Sequence, residues 1–113
     1  MLEMEVFNEH SLPKQNRVAW ELLKLLELSG TLEPQRVYAT LANRFGLTPK
    51  QKDLSVGTVR KENAWENRCR FARRRLVSLG FMSKGPKGRW SLTPKGVEIA
   101  KSGDSTVVAQ DVV

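Results

Sequence analysis

The chain has one cysteine and one histidine in 113 residues. A lone Cys69 can form neither an internal disulfide nor a Cys-based zinc site. It falls on an apolar stripe and reads as a small buried residue. His10, in the N-terminal segment, has no partner for metal binding or proton transfer. No apolar run approaches the roughly 18 residues of a membrane span. The opening M-L-E-M-E-V-F is acidic and lacks the basic start and apolar centre of a secretory signal. A carboxylate pair with a lysine, a nucleophile beside a base and a phosphate-cradling glycine loop are all missing from the pattern. The expectation is a non-enzymatic, cytoplasmic protein with no metal, no cofactor, no small-molecule substrate and no membrane partner.

What the chain does have is positive charge, placed unevenly. The net charge is +7. Residues 50–95 hold thirteen lysines and arginines against three acids, Asp53, Glu62 and Glu66, so this window carries +10 and the rest −3. A one-sided basic block on a slightly acidic domain is the footprint expected of a nucleic-acid binder.

The densest part of the block runs from Arg60 to Gly80 and reads as one helix over 60–79. Trp65, Cys69, Ala72, Leu76 and Leu79 are spaced four, three, four and three apart, one apolar stripe at helical period. At about 100° per residue, Asn63, Asn67, Arg70 and Arg74 fall on the opposite side. Phe71, Arg68, Arg73 and Arg75 lie on the flanks, and Gly80 stops the helix. Asn pairs with adenine N6 and N7, and Arg with guanine O6 and N7. The outer face therefore reads either as a recognition surface or as a solvated basic back, and the rest of the chain bears on which.

Residues 1–10 show no period and read as a flexible arm. Ser11 and Pro13 open a first helix that runs to Ser29, with Val18, Ala19, Leu22, Leu25, Leu26 and Ser29 on its buried side and Trp20 and Leu23 at the margins. Pro34 opens a second helix, with Val37, Leu41, Ala42 and Phe45 on one face. Leu47-Thr48-Pro49-Lys50 reads as a loop with a short helical turn to Leu54, and Ser55-Val56-Gly57-Thr58 breaks the pattern before the long helix. After Gly80 the period changes. Phe81–Lys84 and Arg89–Leu92 read as strands around a Gly85-Pro86-Lys87-Gly88 tip. Thr93 and Pro94 cap and enter a last short helix, and 103–113 reads as a tail or linker. The fold class expected is mainly α with a small β-hairpin. It is a winged helix-turn-helix over 11–102, with a three-helix core, a wing and a short C-terminal helix.

The stretch from about Val18 to Ser102 resembles the N-terminal domain of the Mrr family of restriction endonucleases. The resemblance is carried by Phe45-Gly46-Leu47-Thr48, by Trp65-Glu66-Asn67-Arg68-Cys69-Arg70-Phe71-Ala72 with Leu76 and Gly80, and by Gly88-Arg89-Trp90-Ser91-Leu92-Thr93-Pro94-Lys95-Gly96. The family tends to have Val at the place of Cys69 and Trp at that of Phe71, and Leu54 to Asn63 follows it less well. The resemblance implies a winged helix that reads methylated DNA and serves a separate C-terminal nuclease domain. The 113 residues leave no room for such a domain, and the expectation is a fragment of a larger enzyme or a stand-alone reader.

On this reading the partner is double-stranded DNA, adenine-methylated if the resemblance extends to specificity, with a nuclease domain or subunit as a further partner. Asn63, Asn67, Arg70 and Arg74 are the base-edge candidates. Lys50, Lys52, Arg60, Lys61, Arg73, Lys84, Lys87, Arg89 and Lys95 are the backbone candidates. Trp65 and Phe71 are the helix aromatics for contact with a base methyl, and the period of Trp65 favours packing. A winged-helix transcription regulator and a protein-interaction or dimerisation winged helix are the alternatives.

Overall fold

The first helix, α1 (Gln15–Ser29), begins after Lys14, whose side chain makes no capping hydrogen bond. The computed structural model describes residues 12–109. The expected arm, the Ser11 cap, His10 and the last residues of the tail lie outside the described residues. Pro13 precedes α1 rather than entering its first turn. Leu12 is nevertheless buried, and the Pro13 carbonyl accepts a hydrogen bond of 2.8 Å from Arg68. Val18, Ala19, Leu22, Leu23, Leu25 and Leu26 are buried. Leu23, expected at the margin, is fully enclosed, and Ser29, expected inside, is exposed. Neighbours on both sides of α1 explain this wider stripe: it packs against two later helices at once.

Gly30, at φ +76°, turns the chain out of α1. Leu32 then exchanges two backbone hydrogen bonds with Trp90, at 3.1 and 2.8 Å. Helix α2 (Pro34–Arg44) buries Val37, Tyr38, Leu41 and Ala42. Gly46, at φ +65°, closes it. Thr48 and Gln51 form a reciprocal capping box around the short helix α3 (Pro49–Lys52).

The next segment departs from the expected pattern. Residues 60–63 are not the first turn of the long helix. Strands β1 (Ser55–Val56) and β2 (Glu62–Asn63) pair antiparallel, Ser55 with Asn63 and Val56 with Glu62. Gly57, at φ +104°, makes the turn, and a Cβ there would run into the Arg60 carbonyl. The long helix, α4 (Ala64–Ser78), starts only after Asn63, whose side chain accepts from the Glu66 N–H at 3.0 Å. The Ala64 N–H reaches back to the Leu54 carbonyl at 2.7 Å, so the hairpin is closed before the helix begins.

After α4 the expected wing is present in reduced form. Met82 bridges Leu92, and the Ser83 N–H donates to the Ser91 carbonyl at 3.0 Å. Phe81, Met82 and Trp90 are buried, while Lys84, Lys87 and Arg89 stand exposed at the tip. Thr93 caps helix α5 (Pro94–Ser102) through the Gly96 N–H at 3.1 Å and donates to the Gly80 carbonyl at 2.6 Å. Helix, bridge, helix, helix and hairpin thus follow in winged-helix order, with the β1–β2 hairpin inserted before the third long helix.

The linker expected from Gly103 is, over its described residues, part of the domain. Asp104 caps a short helix α6 (Thr106–Ala109) by accepting from the Thr106 N–H at 3.1 Å. Val108 is 1% exposed, and its carbonyl accepts from Arg75 Nε at 3.2 Å. Asn16 Nδ2 donates to the Ala109 carbonyl at 3.3 Å. The small polar residues around Gly103 hid two valines able to fill the end of the core. Truncation after Ser102 is expected to destabilise the fold by about 2–3 kcal/mol, the scale of one fully buried apolar side chain. Thermal unfolding of the two chain lengths checks this, and identical midpoints would mean that α6 holds nothing.

Candidate nucleic-acid interface

The rotation of α4 decides what faces outward. Ala64, Trp65, Cys69, Ala72 and Leu76 are buried against α1 and α2. The Trp65 indole N–H donates to the Tyr38 carbonyl at 2.9 Å, and its ring meets Phe45 edge-on at 5.9 Å. Trp65 is thus a core anchor with its one polar atom satisfied, and no face of it is offered to a base methyl.

The polar residues of α4 divide into three groups. The first is held by backbone carbonyls. Arg68 donates to Pro13, Arg75 to Val108, and Arg73 to Lys84 at 2.9 Å while lying 5.6 Å from the Trp90 ring centroid. Arg73 Nε is buried without a hydrogen-bond partner among the described residues. Arg73 therefore braces the wing against the helix, which differs from the expected role at a phosphate. The second group is Asn63. Its Oδ1 caps the helix, and its Nδ2 donates to the Lys52 carbonyl at 2.7 Å. Both ends of the amide are in use, so Asn63 leaves the base-edge set.

The third group is the open face. Asn67 is half-exposed, and no hydrogen bond from its side chain is formed among the described residues. Phe71 is 44% exposed, with the Arg74 guanidinium 5.2 Å from its ring centroid. The two make one flat surface, apolar on the ring and cationic over it. Arg70 lies 3.7 Å from Glu66 and 3.9 Å from Glu62, with Tyr38 of α2 nearby. Burial raises the Tyr38 pKa above 10.0, with the neighbouring Arg70 guanidinium acting the other way.

Sequence reasoning did not single out Tyr38, Glu62 or Glu66 as parts of this face. The spacing of Glu66 and Arg70, four residues apart on one helix, was an available signal. Glu62 was not, because it approaches from β2. The backbone candidates are spread around this face. Lys50 and Lys52 lie on α3, Arg60 and Lys61 at the β1–β2 tip, and Lys84, Lys87 and Arg89 on the wing, all exposed. Lys95, at the start of α5, lies 5.4 Å from the Phe81 ring centroid. A shallow depression of about 250 Å³ between α2 and the start of α4 is edged by Gln35, Tyr38, Asn43, Lys52 and Glu66.

Among the described residues, no group of His, Cys, Asp and Glu is placed to hold a metal ion. No helix among them is long and apolar enough to cross a membrane. Such a surface can place cations along a polyanion and set amide, guanidinium and aromatic groups against base edges.

A family model described as the Mrr N-terminal domain matches residues 15–102. No curated protein and no solved structure matches the chain.

Cys69, on the inner side of α4, is fully enclosed, and burial pushes its thiol from 9.0 up to about 12. Between those values the unfolded chain releases the proton and the folded chain keeps it. Stability is therefore complete below pH 9 and falls as pH rises towards 12. Cys69→Val, close in volume and without a proton to lose, is expected to reduce that decline by roughly 1–3 kcal/mol. Urea titrations of both proteins from pH 7 to pH 11 measure the difference, and parallel declines would refute it.

Proposed function

The chain belongs to the Mrr N-terminal domain family, and from that membership we propose that it is a double-stranded DNA-binding module of a restriction-type system. The outer face of α4 enters the major groove and reads an adenine-methylated site. The module is non-catalytic and delivers a nuclease domain or subunit to that site.

The observation that carries this reading is the set of Asn67, Arg70, Phe71 and Arg74 on one open face of a helix flanked by basic loops. The Asn67 amide suits adenine N6 and N7. Arg70 and Arg74 suit guanine O6 and N7, and a good bidentate pair discriminates by about 1–3 kcal/mol. An N6-methyl adds one apolar carbon in the major groove. Phe71 is the aromatic of α4 within reach of it, since Trp65 is sealed in the core. Lys50, Lys52, Lys84, Lys87, Arg89 and Lys95 supply the sequence-independent share of affinity at phosphates.

Reversal of both Arg70 and Arg74 to Glu is expected to weaken duplex binding by on the order of 10²-fold or more, because two guanidiniums leave the base edges and two carboxylates repel the backbone. Phe71→Ala is expected to narrow the preference for methylated over unmethylated adenine while leaving unmethylated binding nearly unchanged. Fluorescence anisotropy on duplexes that differ only in adenine or cytosine methylation measures both. Unaltered binding by the doubly reversed variant would end the proposal.

A further inference from the structure

The β1–β2 hairpin is the element that sequence periodicity did not foresee, and its tip stands open. Thr58, Val59, Arg60 and Lys61 are all exposed, and Val59 is 99% exposed. An isolated exposed valine is ordinary by itself. Here it stands at the end of a projection, next to two cations, on a segment that costs backbone order to build.

The base of the hairpin is tied down at several points. Asn63 Nδ2 holds the Lys52 carbonyl at 2.7 Å, the Ala64 N–H holds the Leu54 carbonyl at 2.7 Å, and Asn63 Oδ1 caps α4. The hairpin is therefore an extension of the first turn of α4, and its position follows that of the helix. Its side is also defined. Glu62 of β2 lies 3.9 Å from Arg70, on the open face. The wing is joined to the same helix through Arg73, whose guanidinium donates to the Lys84 carbonyl. Two basic hairpins thus attach to one helix, one at its N-terminal end and one beside its middle.

We propose that the β1–β2 hairpin is a second wing that grips the duplex backbone beside the site read by α4. Arg60 and Lys61 contact phosphates, and Val59 packs against the sugar edge of the adjoining minor groove. The partner is B-form DNA, because a tip with two adjacent cations and no acid complements an evenly charged backbone. This inference rests on the DNA-binding reading above and adds to it a further contact region. It assigns the hairpin to affinity and register rather than to base choice.

The test uses the whole chain and three duplex sets: an adenine-methylated duplex, the same duplex unmethylated and a duplex of unrelated sequence. Arg60→Glu with Lys61→Glu is expected to weaken binding to all three by about tenfold or more. The slope of log affinity against log salt is expected to become shallower by about two, near 0.9 for each phosphate no longer neutralised. Val59→Ser is expected to weaken all three by a few-fold without changing the slope. Both variants have their changes on exposed tip residues, and unchanged thermal midpoints confirm that the fold is intact. Hydroxyl-radical footprints of the wild type should show sugar protection flanking the α4 site, absent in the double variant.

If the double variant binds with wild-type affinity and slope, the second wing is refuted. If it loses discrimination among the three duplexes instead of affinity for all, the hairpin reads bases and the backbone assignment is refuted. Either failure, in a wild type that binds duplex and stops doing so on reversal of Arg70 and Arg74, leaves the α4 reading standing. A wild type that binds no duplex refutes both.

Discussion

The hydrogen bond from the Trp65 indole to the Tyr38 carbonyl, 2.9 Å long and buried, sets the angle at which α4 is seated. A helix carries its side chains at about 100° per residue, so rotation by one position would turn a different set outward. Trp65 resists that rotation twice, through its hydrogen bond and through its edge-on packing with Phe45. The packing extends further. The Tyr38 ring meets Trp90 of the wing edge-on at 5.8 Å, and Trp90 lies under the Arg73 guanidinium. Trp90 is also the residue that bridges to Leu32. Two aromatic pairs joined by that hydrogen bond therefore relate α2, α4 and the wing. The open face of α4 and the position of the wing are two results of the same packing.

That packing also divides the arginines of α4 into roles their spacing does not distinguish. Arg68, Arg73 and Arg75 send their guanidiniums to carbonyls of the chain preceding α1, the wing and α6. A guanidinium suits this task because its planar fork donates in fixed directions and stays charged. These arginines keep contributing to the positive field around the domain, while Arg70 and Arg74 remain on the open face. A count of basic residues therefore describes long-range attraction well and contact poorly. The acceptors also lie far along the chain, at separations of 55 residues for Arg68 and 33 for Arg75.

The legible parts of the fold were those written in local chemistry. Thr93-Pro94 and Pro34 each mark a helix entry, and the stripe from Trp65 to Leu76 gave the buried side of α4. The outward placing of Asn67, Arg70 and Arg74 followed from that stripe, whereas Asn63 precedes the helix as its cap. The hairpin over 55–63 was illegible for a physical reason. Its strands are two residues long, too short for alternation to register, and it is closed by bonds to Lys52 and Leu54 outside the strands. The start of α4 was marked, however, since Asn63 followed by Glu66 is an N-terminal capping pattern. The unbroken polar run from Arg60 disguised it. Helix α6 was missed because small polar residues surround Val107 and Val108, and only tertiary packing reveals that Val108 is inside.

The acids of the basic window carry a further point. Between residues 50 and 95 there are three, and two of them, Glu62 and Glu66, lie beside Arg70. Partly exposed pairs of this kind contribute at most about 1 kcal/mol each, so they orient the guanidinium without locking it. Their effect on a ligand depends on what the ligand presents. A phosphate approaching Arg70 also meets two carboxylates and is repelled by them. The neutral O6 and N7 of a guanine feel far less of that repulsion, while Arg70 can still meet them as a fork. Arg74 has an aromatic ring for its neighbour instead and carries no such penalty toward phosphate. On the DNA-binding reading, the acids bias Arg70 towards base edges and leave backbone affinity to the lysines and arginines of the loops. Specificity and affinity would then reside in separate parts of one surface, held in register by the packing around Trp65.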